Sequence, residues 1–334
     1  MKLAIAYFGS PDFSARFLEK LLTDEETKKL VKVKLVVTQP DKPVGRKQIL
    51  TPTPVKLTAE KYKIKIKYKI PNPQAKPDHA PRDKFKTFME FGAWYLEFDD
   101  LKGVDFALVY AYNQIIPKEY LELPKYGFWC IHPSLLPKYR GPSPIATALI
   151  NGDKEAGVSI FKMNEKIDHG PIIAQERISI APTDLRPDLE KKLTDLGFEM
   201  FKKIIIKLQT TTYNLQPKKQ DHKLATYTKK LKKGDGFIEF DKLKNLMRPP
   251  THSLQPTTYN LLTTTYNLFR GLYPWPGLWT ILPNGKRLKI TGLQLQPTTH
   301  NLQPTHYNLQ PTKVQLEGKK EVDFTTFNRA YKVF

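Results

Sequence analysis

Residues 3–38 read LAIAYFGSPDFSARFLEKLLTDEETKKLVKVKLVVT, and their patterning decides the fold. Leu3 to Phe8 is a compact apolar run of strand length, Ser14 to Leu22 carries apolar residues at helical spacing, and Lys32 to Thr38 is a second strand. Strand, helix and strand in succession make a βαβ unit. Further along, Phe106 to Ala111 is another compact apolar run, closed by a polar turn at Asn113 and Gln114, and Val158 to Met163 is a strand that ends in a polar loop. These runs predict an α/β domain with a twisted, mostly parallel sheet and ligands at the strand ends. From about Ala225 the apolar runs shorten and are broken by Gly and Pro, as in Gly236 to Phe240, Leu278 to Leu282 and Arg287 to Thr291. That pattern predicts a second, mainly β domain, a small barrel. The expected organisation is a catalytic domain over 1–202, a linker over 203–224 and the β domain over 225–334. Between Lys67 and Asp100 the chain is rich in Pro and charge and carries Phe85, Phe88, Phe91, Trp94, Tyr95 and Phe98 in close order; it fits a local helix packed on the sheet or an irregular insertion.

The chain has 334 residues, 40 % of them apolar, enough to bury a core without covalent staples. Its single cysteine, Cys130, excludes a disulfide framework and a cysteine-based zinc site, which points to a reducing, cytoplasmic setting. The N-terminal run has neither the charged lead nor the cleavage site of a signal peptide, and nothing later approaches the length of a membrane span. A formal charge of +21, from 54 Lys and Arg against 33 Asp and Glu, favours polyanions such as nucleic acid, although a solvated lysine-rich surface gives the same count.

A heptapeptide theme, Gln-Pro-Thr-Thr-Tyr-Asn-Leu, occurs in three places: QTTTYNLQP at 209–217, RPPTHSLQPTTYNLLTTTYNL at 248–268 and LQPTTHNLQPTHYNLQPT at 295–312. The unit is too short and too polar for a solenoid. A tandem seven-base DNA unit, CAACCTA, translates to this heptapeptide before its frame recurs, so a DNA satellite invading the gene accounts for it; scattered synonymous codons in place of a shared seven-base unit would exclude that origin. With Pro, Thr and Asn dominant and no amphipathic period, the stretches 248–268 and 295–312 are expected to be surface loops or disordered insertions in the second domain.

Chemistry concentrates in Cys130 to Pro144, CIHPSLLPKYRGPSP, and in Asp168 of KIDHG. His132 follows a strand in a Pro-rich turn, and Asp168 follows another strand in a turn closed by Gly170. Brought together from two strand ends, they make an acid–base unit in which the carboxylate fixes the imidazole and stabilises its cation. Taken singly, each residue type is more often structural: a histidine a surface or packing group, an aspartate before glycine a turn former.

The stretch resembles the folate-dependent formyltransferases, whose signature is Asn-x-His, Ser-Leu-Leu-Pro, an Arg-Gly and a later Asp-x-Gly. His132, Ser134 to Pro137, Arg140 with Gly141, and Asp168 with Gly170 match it. FGSPDFS at 8–14, VVTQPDKPVGR at 36–46, AYNQIIP at 111–117, ATYTKKLKKGDGFIEF at 225–240 and LYPWPGLWT at 272–280 resemble the branch of that family acting on methionyl-tRNA. The resemblance implies a Rossmann-like formyltransferase domain joined to a C-terminal barrel of oligonucleotide-binding (OB) type. It implies transfer of the formyl group of 10-formyltetrahydrofolate to the amino group of methionyl-initiator tRNA, in translation initiation, with no metal and no obligate protein partner. Folate would lie near Ala111, Asn113, Ile115, Ile116 and Pro117 and near Ser134, Leu135, Leu136 and Pro137, where backbone groups and apolar side chains hold a flat ring.

In this scheme the substrate amine attacks the formyl carbon, charge gathers on its oxygen, and the folate nitrogen accepts a proton before leaving. His132 moves protons, and Asp168 positions it and supports its cation. Cys130 stands where the family has asparagine, whose amide donates to the oxyanion; a thiol is a weak donor. Losing such a donor costs about 3 kcal/mol in the transition state, a factor of about a hundred or more. Reduced activity, compensation by a neighbouring donor and a decayed enzyme are the alternatives, with a thiol nucleophile or simple strand-end packing as other roles for Cys130. Asn113 replaces the family's glycine and tolerates the same left-handed backbone. Lys42, Arg46 and Lys47 lie in a loop matching the one that enters the tRNA acceptor stem, and Lys229, Lys230, Arg287 and Lys289 make a second candidate tRNA surface, with Leu288 and Ile290 facing inward. The shared catalytic pattern also fits a formyltransferase acting on a sugar nucleotide or another small amine, or a silent folate- or tRNA-binding homologue.

Overall fold

The structure is a computed structural model that describes residues 2–45, 47–68, 96–210, 215–247, 256–297 and 307–334. The first nine strands are β1 (Leu3–Gly9), β2 (Val31–Thr38), β3 (Lys42–Val44), β4 (Ile49–Thr51), β5 (Lys65–Tyr68), β6 (Phe106–Tyr110), β7 (Phe128–His132), β8 (Glu155–Lys162) and β9 (Ile172–Ser179). Seven of them form one sheet in the order β5-β2-β1-β6-β7-β8-β9, with β3 and β4 making a separate hairpin. β1 pairs in parallel with β2 and β6, β2 with β5, and β6 with β7, whereas β7 and β8 are antiparallel. The chain works outward from β1 through β2 to β5, then returns to β6 on the other side of β1. The strand order therefore reverses between β1 and β6, where open α/β sheets leave a crevice at the carboxyl ends of their strands.

The central strands β1 and β6 are apolar throughout because both of their faces are covered. Ala6, Phe8, Ala107, Val109 and Phe128 enter one buried cluster, with Leu35 and Val37 of β2 beside them. Alternate residues serve the other face, where Phe17 of the helix Asp12–Thr23 stacks on Tyr7 and meets Tyr110, Phe198 and Phe201. Phe198 and Phe201 belong to the long helix Arg186–Thr210. Gly197 of that helix faces Ile131, which a Cβ would approach to 3.2 Å.

The chain divides into two compact units: one of Met1–Pro142, Gly157–Ile178 and Glu190–Tyr227, the other of Ser143–Ala156, Ser179–Leu189 and Thr228–Phe334. The second unit holds the four-stranded antiparallel sheet of a small barrel-like domain, β10 (Leu278–Ile281), β11 (Arg287–Pro297), β12 (Tyr307–Leu316) and β13 (Glu321–Asp323), in sequential order. Leu278, Leu288, Ile290, Val314 and Leu316 face a core completed by Leu243, Phe269 and Phe327 from three helices. Gly236 to Phe240, read as a strand-like run, is instead a 3-10 turn leading into the helix Phe240–Met247, with Phe237 making a single bridge to Trp279.

The repeats overturn the expectation of surface loops. Residues 256–268 of the second stretch belong to a helix, Pro256–Leu272, on which Leu262, Thr265, Phe269 and Leu272 are buried at spacings of one helical face. It passes so close to the helix Pro144–Ile150 that a Cβ on Gly271 would lie 2.7 Å from the Ala146 carbonyl. The third copy prolongs the β11–β12 ladder, setting Leu295 opposite Leu309 and Gln296 opposite Asn308. In the frame Leu-Gln-Leu-Gln the same composition alternates apolar and polar, which is a strand pattern. The heptapeptide thus takes helical or extended form according to what it packs against. Residues 248–255 and 298–306, the remainder of these stretches, lie outside the described residues, as do Phe85, Phe88, Phe91, Trp94 and Tyr95. Phe98 stacks on Tyr120 at 4.6 Å.

Candidate active site

The carboxyl ends of β1, β6 and β7 lie side by side, with Gly9 level with Tyr110 and Val109 level with Cys130. Extending that register sets Ser10 and Ala111 level with His132, the last residue of β7. Backbone of unusual conformation gathers in these loops: Ala111, Asn113, Tyr139 and Asp168 all have φ between +50° and +62°. Asn and Asp accept this region more readily than other residues with a Cβ, and its concentration beside a crevice is a mark of a functional site.

His132 is the last residue of β7 and is buried. Its Nε2 lies 2.9 Å from the Tyr139 carbonyl. A carbonyl only accepts, so Nε2 carries the proton and the neutral ring keeps its lone pair on Nδ1. Nδ1 stands 3.7 Å from Oδ2 of Asp168, whose same oxygen accepts the Gly141 amide at 2.6 Å. The expected imidazole and carboxylate therefore do converge. At 3.7 Å they are not hydrogen bonded, which leaves Nδ1 able to take a proton while its cation would lie beside a carboxylate. Cys130 lies two residues back in β7, packed against the cluster that holds Phe128. Burial, with the Asp168 charge adding to it, pushes its thiol well up from the ordinary range, so it is a neutral group.

Two residues that sequence reasoning missed shape the turn after His132. The Ser159 hydroxyl donates to the Ser134 carbonyl at 2.7 Å and accepts from the Leu136 amide at 3.0 Å. Gln175 donates to the Leu136 carbonyl at 2.9 Å. A serine inside the apolar run Val158–Phe161 was the available signal. The segment 218–227 was missed as well. Read mostly as linker, it is built into the site: Lys218 pairs with Ile172, the Arg140 amide donates to the Thr226 carbonyl at 2.8 Å, and the Tyr139 amide donates to the Thr226 hydroxyl at 2.8 Å. The helix Arg186–Thr210 also runs through 203–210, because Ile204 and Ile205 are buried. The connecting role assigned to 203–224 does not fit these residues.

The expected folate residues divide by what their side chains already do. Ile116 is buried in the core beside Tyr112 and Tyr120. Leu135 packs against Gly157, where a Cβ would meet it at 2.4 Å, and Leu136 is buried. The Ser134 hydroxyl donates to the Lys138 carbonyl at 2.6 Å. Ile115 by contrast stands 85 % exposed, with Asn113 also exposed and Ala111 and Pro117 half-buried. An exposed isoleucine on a loop of left-handed backbone at the strand-order reversal suits a flat ring with polar edges: the apolar face is open and peptide groups are near.

Among the candidate basic residues, Lys42 belongs to β3 and donates to Gln39 at 2.6 Å, Lys47 is exposed, and Arg46 lies outside the described residues. The β3–β4 hairpin exposes Val44, Ile49 and Leu50 as well. In the second unit Lys229 and Lys230 are exposed. Arg287 and Lys289 do share a face of β11 while Leu288 and Ile290 are buried. Lys289 is already engaged, donating to the Pro274 carbonyl at 2.8 Å, and burial, then the Arg287 charge, lowers its pKa.

The family model of formyl transferases matches residues 1–205. Methionyl-tRNA formyltransferase of Caldicellulosiruptor saccharolyticus is 38 % identical over 293 residues, covering 87 % of this chain and 79 % of that protein. The enzyme of that name from Thermotoga maritima is 39 % identical over 252 residues, covering 74 % of this chain and 72 % of its own length. Among solved structures, an N-formyltransferase of Helicobacter canadensis, in complex with folinic acid and dTDP-3-aminofucose, shares the fold with a TM-score of 0.54 at 18 % identity, covering 93 % of this chain and 99 % of that one. With relatives this similar over most of their length, and with the histidine at the end of β7 and the aspartate in the β8–β9 loop brought together, the chain belongs to the methionyl-tRNA formyltransferase family.

Proposed function

We propose that this protein transfers the formyl group of 10-formyltetrahydrofolate to the amino group of methionyl-initiator tRNA, in the cytoplasm, with His132 and Asp168 as its proton-handling pair. The observation that carries the reading is the approach of Nδ1 of His132, at the end of β7, to Oδ2 of Asp168, in the β8–β9 loop. Folate supplies the electrophilic formyl carbon, held over the strand ends by Ala111, Asn113, Ile115 and Pro117 and by the backbone of Ser134 to Pro137. The Tyr139 carbonyl fixes the ring of His132 so that Nδ1 is the atom that accepts the proton released by the attacking amine. Asp168 stabilises the resulting cation, and the same nitrogen returns the proton to the departing folate nitrogen. Lys42, Arg46 and Lys47, and in the second unit Lys229, Lys230 and Arg287, supply charge for the tRNA backbone. Lys289 contributes less, since its ammonium is spent on Pro274.

The test is transfer of labelled formyl from 10-formyltetrahydrofolate to methionyl-initiator tRNA by wild type and by His132→Ala, with an amino-sugar nucleotide offered in parallel. The expected result is transfer to the tRNA alone, reduced by about 10² or more in the variant. Transfer to the sugar nucleotide, or none to either acceptor, overturns the assignment.

A further inference from the structure

Gln220 is buried, and its amide makes four contacts. Its nitrogen donates to the Asp168 carbonyl at 2.9 Å and to the Gly170 carbonyl at 2.7 Å. Its oxygen accepts from the Arg140 guanidinium, at 2.6 Å from Nη2 and 3.3 Å from Nε. Two donors and two acceptor sites are the whole capacity of an amide, and the arrangement fixes which end is which: carbonyls require the NH₂, a guanidinium requires the oxygen.

Both partners belong to the catalytic loops. Arg140 is buried to 1 % exposure and lies between Tyr139, whose carbonyl holds His132, and Gly141, whose amide holds the Asp168 carboxylate. Asp168 has left-handed backbone, with φ at +50°. Gly170 is pressed so close to β8 that a Cβ would come within 1.8 Å of the Lys162 carbonyl. The Asp168 turn is therefore fixed on one side by β8; on the other its backbone carbonyls are held by the Gln220 amide, anchored to the loop of His132, beside the Gly141 contact to the carboxylate and the stacking of His169 on His222.

We propose that Gln220 is a positioning residue for formyl transfer: it sets the distance between His132 and Asp168 by tying the Asp168–Gly170 turn to Arg140. The inference rests on the formyl-transfer reading of the same site, and misplacement of a catalytic group by about 1 Å can cost as much as about 10² in rate. Gln220 never reaches the reacting atoms; it acts through Asp168.

Two variants separate this role from support of the fold. Gln220→Glu keeps oxygens toward Arg140 but, ionised, has nothing to donate to the two carbonyls. Gln220→Met keeps the length and loses both sets of contacts. Turnover, the KM for each substrate, the melting temperature and the NMR chemical shifts of the His132 ring are measured together. The expected result is a fall in kcat of about tenfold or more in both variants, with either KM changed by less than about twofold. In Gln220→Met the His132 ring resonances should move from their wild-type positions as the carboxylate draws away. In Gln220→Glu the melting temperature should fall less than in Gln220→Met, because the Arg140 contact survives. Turnover and ring resonances unchanged in Gln220→Met overturn the proposal, as does a kcat loss in Gln220→Met that Gln220→Glu fully restores. Wild-type protein that formylates no tRNA, with His132 ring resonances that still move in Gln220→Met, would refute the functional reading and leave the positioning role standing.

Discussion

His132 and Asp168 face each other across 3.7 Å, Nδ1 to Oδ2, with the Gly141 amide on the same carboxylate oxygen. The carboxylate thus serves two partners, one by hydrogen bonding and one by charge. Asp168→Asn separates them, since an amide oxygen still accepts from Gly141 but carries no charge to support a protonated imidazole. The expected outcome is a loss of kcat of about 10²–10⁴ with KM for the folate nearly unchanged. Steady-state kinetics check it; a larger effect on KM than on kcat would assign Asp168 to binding.

Cys130 presents two separable expectations. Its thiol is held neutral by burial and by the nearby Asp168 charge, so it is no nucleophile at neutral pH, and Cys130→Ala should keep turnover within a few-fold of wild type. Cys130→Asn places an amide two residues before His132 on the same face of β7, where it can donate to the transition-state oxygen. Turnover should rise by about a hundredfold, the equivalent of about 3 kcal/mol. Loss of activity in Cys130→Ala would instead make the thiol part of the chemistry.

Asp24 is an acid-stability element remote from this chemistry. Its carboxylate accepts the Thr27 amide at 2.8 Å, the Thr27 hydroxyl, and Lys202 of the long helix at 3.3 Å. Partial burial alone would raise its pKa, but the hydrogen bonds from Thr27 and Lys202 outweigh it and bring the value from 3.8 down to about 2. Because the unfolded chain binds this proton first, the carboxylate's contribution is complete above the unfolded pKa and is lost as pH falls toward the folded one. Asp24→Asn should therefore melt below wild type at pH 6. The gap should close between pH 4 and pH 2, as thermal melts across that window would record.

What was legible in the sequence was whatever local periodicity or chemistry spells out. The runs Leu3–Phe8, Phe106–Ala111 and Val158–Met163 became strands because a sheet covered on both faces demands continuous apolar residues. His132 and Asp168 could be paired in advance because strand-end turns carry them. Gln220 could not: in KKQDHK nothing local distinguishes a solvated amide from one that joins two catalytic loops, and the contacts that bury it come from residues 140, 168 and 170. Ile115 and Ile116 are adjacent and chemically identical, yet one is exposed and the other lies in the core, a difference that only the turn's path decides. The repeats misled for the converse reason. Their composition is that of loops, but a single leucine per heptad is enough when packing supplies the partner.

Leu309 puts that last point to the test. It comes from a repeat copy, is fully buried, and faces Leu295 of another copy across the β11–β12 ladder, within the core that includes Ile290 and Val314. If the repeat is structural, Leu309→Ala removes buried methyl groups and leaves a cavity, destabilising the protein by about 2–5 kcal/mol. Gln310, the next residue, points the other way and is exposed, so Gln310→Ala should change stability by no more than about 0.5 kcal/mol. Urea denaturation of the two variants distinguishes the cases. Equal and negligible effects would mean that this copy is a passive insertion, whereas a large loss for Leu309→Ala alone means that sequence of repetitive origin has been built into the core of the second unit.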